Sequence, residues 1–234
     1  MGSTSLPGEV RESVYVVVPA YNEAACIEQV LRELVAAYPN VVVVDDGSSD
    51  GTRAAARRVA PHVLHHLVNR GQGAALQTGI EFALRRGARQ IVTFDADGQH
   101  RVEDIAALLE PLIRGECEIT LGSRFLGQAT GIPRSRWLML RLATVFTRLV
   151  NRVNLTDAHN GLRAFTRRAA ENISISMDRM AHASEIIDII RRAKLPFREV
   201  PVQVRYTEYS LGKGQSARDA LHVLVHYVVG RVVR

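Results

Sequence analysis

Two carboxylates one residue apart, Asp95 and Asp97, directly follow an apolar run at residues 91–94. At a strand end such a pair can turn into a single cleft. Carboxylate oxygens suit hard cations, Mg²⁺ or Mn²⁺, which often bridge to substrate phosphates. Gln99 and His100 stand near enough in sequence to assist. A cation held there would neutralise a departing diphosphate. The same triplet also suits a helix start, with Asp97 or a neighbour capping a helix from about Val102. A second acidic cluster, Asp45-Asp46-Gly47-Ser48-Ser49-Asp50-Gly51-Thr52, likewise follows an apolar run and opens a helix. One of its carboxylates can accept hydrogen bonds from a base or a ribose hydroxyl, while Ser49 or Asp50 fits a turn and an N-cap. Asn69-Arg70-Gly71-Gln72-Gly73 begins like a dinucleotide loop, but Leu76 stands where that pattern requires Gly or Ala, which excludes a Rossmann dehydrogenase.

These clusters need elements to position them. Residues 14–18 (ended by Pro19), 41–44, 63–68, 91–94 and 119–121 are short apolar runs and read as buried strands. Ile27, Val30, Leu31, Leu34 and Val35 recur at one-face helical spacing, as do Ile105, Leu108, Leu109, Leu112 and Ile113. Helices are also expected over about 52–59 and 72–86. Continuous apolar strands alternating with helices imply an α/β fold, a mostly parallel sheet flanked by helices on both faces. Ligands of such sheets sit beyond the carboxyl ends of the strands. Tyr21-Asn22-Glu23, Asp45-Asp46 and Asp95-Ala96-Asp97 all gather there. In the second half, 125–134 contains Gly127, Gly131 and Pro133 and reads as a loop. Residues 136–152 and 183–192 read as helices, 157–161 as a turn, 199–206 as an alternating strand and 209–216 as a loop. With neither an internal repeat nor a clear linker, one domain is expected, with a first half over about 12–123, a second half over about 124–216 and a C-terminal amphipathic helix at 217–234.

A chain of 234 residues with 47% hydrophobic content can bury a sizeable core, which excludes a disordered protein. Cys26 and Cys117 make no disulfide framework and have no zinc-ligand spacing, so a reducing compartment, the cytosol, is expected. Residues 1–11 lack the basic-then-apolar order of a signal peptide and read as a short disordered leader. The formal charge of +6 is uneven: residues 1–123 carry 11 Lys and Arg against 16 Asp and Glu, the remainder 19 against 8. A basic second half suits a phosphorylated ligand or an acidic lipid headgroup. Nucleic acid fits less well, because aromatic residues are not interleaved with the basic ones. No segment reaches the roughly 18–20 apolar residues that span a bilayer. Contact with a membrane surface stays open, since Leu221, Leu224, Val225, Val228 and Val229 form an apolar face flanked by Arg218, Arg231 and Arg234.

Six stretches taken in order are similar to the family-2 glycosyltransferases of the GT-A fold. They are Pro19-Ala20-Tyr21-Asn22-Glu23, residues 44–52, residues 69–84, residues 95–100, Gly122-Ser123-Arg124-Phe125, and residues 157–165. The subgroup they most resemble is the polyprenol-phosphate sugar transferases. That resemblance implies a Rossmann-like GT-A sheet and an inverting transfer from a nucleotide-sugar of the GDP-mannose or UDP-glucose type. It implies a nucleotide pocket lined by Pro19, Ala20, Tyr21, Glu23, Asp46, Gly73, Asp95 and Ala96. It also implies that Asp95, Asp97 and Gln99 hold Mg²⁺ or Mn²⁺, and that Arg124 meets the acceptor phosphate together with basic residues such as Arg134, Arg136 and Lys213. The subgroup's closing Arg-x-x-Gly-x-Ser-Lys is not reproduced; the corresponding stretch is residues 206–216, with Arg205 and Lys213 as its nearest cations.

Two acceptors need different residues. A polyprenyl phosphate is already anionic and needs arginines to position it. A sugar hydroxyl needs a carboxylate base within hydrogen-bond reach, for which Glu185 and Asp157 are the candidates. The lipid phosphate is the expected acceptor, with a saccharide hydroxyl as the alternative. A sugar-nucleotide binder without turnover is opposed by the intact Asp95-x-Asp97 pair. The expected site of action is cytoplasmic, including peripherally on the cytoplasmic face of the membrane.

Overall fold

Apolar β-branched runs are stable as strands when both faces are covered, and the computed structural model covers them. It describes residues 7–175, 182–207 and 209. A short helix α1 (Gly8–Ser13) leads into β1 (Val14–Ala20), α2 (Ile27–Ala37) and β2 (Asn40–Asp45). Then come α3 (Thr52–Arg57), β3 (His62–His65), α4 (Gln72–Arg85), β4 (Gln90–Thr93), α5 (Asp104–Ile113) and β5 (Ile119–Thr130). The second half adds α6 (Arg134–Asn151), β6 (Arg163–Thr166), α7 (Arg167–Glu171), α8 (His182–Arg192) and β7 (Phe197–Arg205).

Among the described residues the strands form one sheet of seven in the order β3-β2-β1-β4-β6-β5-β7. Neighbours run parallel except β6, which is antiparallel to both β4 and β5. Successive side chains of a strand face opposite sides, so the β-branched runs feed two cores. Val16, Val18, Val41 and Val43 pack with Leu31 and Leu34 of α2 and with Leu108 and Leu109 of α5. Val17, Val42 and Val44 pack with Leu76 and Ile80 of α4 and with Ile186 and Ile187 of α8.

The mostly parallel α/β architecture matches the sequence expectation, and several boundaries do not. Residues 8–13 are helical rather than part of a leader. The third strand stops at His65, and Leu67 and Val68 are exposed. The expected loop at 125–134 is strand as far as Thr130, because β7 supplies partners: after an irregularity between Ser123 and Gln128, the pairs Gln128–Gln203, Ala129–Val204 and Thr130–Arg205 resume. Strand β6 and helix α7 had no sequence counterpart. The expected loop and helix over 210–234, with Lys213, lie outside the described residues.

Candidate active site

Parallel strands β1, β2 and β4 end side by side, so the residues after them share one rim. After β1, Asn22 takes a positive φ of 55°, which asparagine tolerates. Its Oδ1 accepts from Ser49 N at 2.9 Å while its N donates to Ser48 Oγ at 2.9 Å, joining the first rim loop to the second. Glu23 N donates to Thr52 Oγ1 at 2.7 Å. Pro19 and Ala20 are buried at the end of β1, and Tyr21 stands out from it, 46% exposed.

Asp46 is buried and faces inward. Its Oδ1 contacts His66 Nδ1 at 2.7 Å and accepts from Arg70 N at 3.0 Å; its Oδ2 accepts from Gly71 N at 2.7 Å. It therefore shapes the loop that leads into α4 and the buried Gly73. Gly47 completes this corner: its φ is +72°, and a Cβ would lie 2.7 Å from Val68 C and Asn69 N. Asp45 is also buried; Oδ2 contacts His65 Nδ1 at 2.9 Å, and Oδ1 has no hydrogen-bond partner among the described residues.

Asp95 follows β4. Its Oδ1 accepts from Gln72 Nε2 at 3.0 Å and its Oδ2 lies 3.0 Å from His100 Nε2, so Nε2 carries the proton when Asp95 is ionised. Asp97 Oδ1 accepts from Gln99 N at 3.0 Å. Burial first, and the neighbouring Asp95 second, push the Asp97 carboxyl up to about 6. The loop is sewn to β7, where Arg205 N donates to Gln99 O at 2.9 Å. It is also tied to α2: the Cys26 thiol donates to Ala96 O at 3.2 Å, and burial followed by Glu23 raises that thiol to about 12, so it stays protonated. Tyr209 closes the same corner, its hydroxyl donating to Glu23 Oε2 at 2.8 Å. No group of three or more His, Cys, Asp and Glu in metal-holding arrangement occurs among the described residues. The donor set still fits a hard divalent cation: two neighbouring carboxylates supply oxygen ligands, and their mutual repulsion is what a cation relieves.

Arg124 and Asp157, both expected on the acceptor side, meet at an arch, residues 157–163. Asp157 Oδ2 accepts from Arg124 Nε at 2.6 Å and Arg124 N at 3.1 Å, and its Oδ1 accepts from His159 N at 3.2 Å. Arg124 also donates to Tyr206 Oη and, at 3.0 Å, to His159 O. Burial works against its charge, but Asp157 and Tyr206 outweigh that and raise its pKa. A carboxylate so engaged anchors the arch. Arg163 is buried too, donating to Asn160 O at 3.0 Å and Ala158 O at 3.3 Å; burial lowers it only to about 10, so it stays charged. Arg136, half-buried, lies 5.2 Å from the Tyr206 ring centroid, and Arg134 is exposed at the start of α6. Glu185 and Asp188 are buried on α8; Asp188 pairs with Arg191 at 2.9 Å and Arg192 at 2.7 Å.

Gln72, Cys26, Gly161, Arg163, Tyr206 and Tyr209 carry contacts that sequence reading did not assign. Gln72 lay inside a loop already noted. The others are marked only by partners distant in the chain.

Residues 15–174 match the family model described as Glycosyl transferase family 2. The chain is 32% identical over 251 residues to polyprenol monophosphomannose synthase of Mycolicibacterium smegmatis, spanning 100% of this chain and 94% of that one. It is 33% identical over 223 residues to UDP-N-acetylglucosamine–dolichyl-phosphate N-acetylglucosaminyltransferase of Methanococcus voltae, spanning 86% and 89%. Among solved structures, glucosyl-3-phosphoglycerate synthase from Mycobacterium tuberculosis in complex with Mn²⁺ and UDP-glucose superposes with a TM-score of 0.72 at 20% identity, covering 96% of this chain and 82% of that chain.

Proposed function

The chain belongs to glycosyl transferase family 2, and on that premise we propose that this glycosyltransferase moves a hexose from a nucleoside-diphosphate sugar to a polyprenyl phosphate, with inversion at the sugar carbon. The observation that carries the donor side is the single rim on which Tyr21, Glu23, the Asp46 corner and the Asp95–Asp97 loop stand together. The nucleotide lies along Pro19, Ala20, Tyr21, Glu23, Gly73 and Ala96, in a pocket whose floor Asp46 shapes. Asp95, Asp97 and Gln99 are the residues that hold Mg²⁺ or Mn²⁺, which when bound neutralises charge on the leaving diphosphate. Gln72 and His100 orient Asp95 by taking one oxygen each, the kind of outer support on which ligand geometry depends.

On the acceptor side a continuous chain of contacts runs Asp157–Arg124–Tyr206–Arg136. Arg124 fixes Tyr206 and the arch; Arg136 and the exposed Arg134, in the first turn of α6, position the phosphate, with Lys213 as a further cation. A phosphate monoester attacks as an anion and needs no proton removed, which suits a site whose arch carboxylate is already committed to an arginine.

The test is thermal stabilisation by GDP, UDP and dTDP, each with and without Mn²⁺. A ligand bound only to the folded state at about 100 times its Kd adds about 2.7 kcal/mol, or roughly 5–10 °C for a chain of this size. One nucleotide is expected to give this shift only with Mn²⁺. No shift with any of them at millimolar concentration would remove the donor site.

Access to a lipid acceptor is supported by α6. Its residues 134–151 contain four basic side chains, Arg134, Arg136, Arg141 and Arg148, and no acidic one. Leu138, Leu142, Val145 and Leu149 recur at helical spacing and are 49–74% exposed. No helix among the described residues is long and apolar enough to cross a membrane. An exposed apolar stripe among arginines instead suits the surface of an anionic bilayer, on the cytoplasmic face. Co-sedimentation with phosphatidylglycerol vesicles is expected, weakened tenfold or more by Leu142→Glu with Leu149→Glu. Equal sedimentation of the variant would exclude α6 as the contact.

A further inference from the structure

We infer that Gly161 is a positioning residue for Asp95, its missing side chain being the seat that holds the carboxylate in place. A Cβ built on Gly161 would lie 2.1 Å from Asp95 Oδ2 and 2.5 Å from both Oδ1 and Cγ. The backbone of residue 161 thus lies flush against the carboxylate.

Which partner would yield decides the consequence. The arch is pinned around this point: Thr93 Oγ1 donates to Gly161 O at 2.7 Å, and Arg163 donates to the carbonyls of Asn160 and Ala158. Arg163 itself is locked into β6, paired with Thr93 on one side and Leu121 on the other. The backbone therefore has little freedom to retreat, whereas Asp95 is a side chain able to rotate about its own bonds. Rotation would pull Oδ1 from Gln72 and Oδ2 from His100, at 3.0 Å each. A methyl at 161 therefore leaves the fold and misdirects the carboxylate. The arch also carries the Asp157–Arg124 anchor at its other end. Gly161 and Arg163 thereby tie the position of the donor-side carboxylate to the acceptor side. This inference rests on the reading of Asp95 as a metal-holding residue.

The test combines a double-mutant cycle in stability with direct Mn²⁺ binding. Gly161→Ala is expected to lower the melting midpoint by about 2–10 °C in the otherwise unchanged protein, but by less than about 1 °C in an Asp95→Ala background, where the methyl has room. Mn²⁺ titration followed by electron paramagnetic resonance, without nucleotide, should show binding by the unchanged protein and at least tenfold weaker binding by folded Gly161→Ala. Equal melting losses in both backgrounds, or unaltered Mn²⁺ binding by the variant, would overturn the inference while leaving the metal reading intact. Absence of Mn²⁺ binding by the unchanged protein would overturn both. Should Gly161→Ala fail to fold, recovery of a cooperative transition in Asp95→Ala/Gly161→Ala supports the inference, and its failure to recover overturns it.

Discussion

Asp97→Asn is expected to lower sugar transfer by about 10²–10³-fold, the usual cost of removing one designed charge-stabilising group, while leaving the metal-free protein at least as stable as before. The amide is isosteric with the carboxylate and keeps an oxygen for Gln99 N, whose bond to Oδ1 is 3.0 Å. What it removes is a charge that folding disfavours. The Asp97 carboxyl is raised from 3.8 to about 6 by burial and by Asp95. A raised carboxylate pKa means that the native state binds the extra proton. Stability contributed by that proton is present below about pH 4 and is lost as pH rises through about 6. A permanently neutral side chain abolishes this loss, which is of order 1–3 kcal/mol near neutral pH. Urea titrations at pH 5 and pH 8 without metal should therefore show a smaller pH dependence in the variant. Mn²⁺-dependent stabilisation by the nucleotide should vanish at the same time. A variant that transfers sugar at the normal rate would rule out Asp97 as a metal-holding residue.

Asp157→Ala is expected to destabilise the protein by about 3–5 kcal/mol, the range for removing one partner of a buried ion pair. The guanidinium of Arg124 is only 7% exposed and would keep its charge with no carboxylate beside it. Arg124 N and His159 N would lose their acceptor as well. Denaturant midpoints measure the loss. The joint replacement Arg124→Met with Asp157→Leu should be less destabilising than Asp157→Ala alone, because no unpaired charge is left behind. A loss below about 1 kcal/mol for the single variant would mean that the pair is solvated and that the arch is held by something else.

The order of strands and helices in the first half was legible because β-branched runs and one-face helical spacing report burial directly. The second half was less so for identifiable reasons. Residues 125–130 carry the glycine content of a loop and become strand because β7 provides a ladder far along the chain. Strand β6 consists of Arg-Ala-Phe-Thr, four residues with a buried arginine, and no apolar alternation marks it. Its arginine is tolerated inside because backbone carbonyls of the arch receive it.

By itself the sequence determined that acidic residues stand at strand ends. Apolar runs must be buried, and the polar residues that interrupt them are left at the rim, so Asp45, Asp46, Asp95 and Asp97 had to converge there. Which carboxylates are taken up by protein partners was decided only by tertiary structure. Asp46 is taken up by His66, Arg70 and Gly71, and Asp157 by Arg124, 33 residues away, which in turn reaches Tyr206, 82 residues away. A hydrogen bond goes to the donor that folding brings within about 3 Å, and local sequence does not encode that distance.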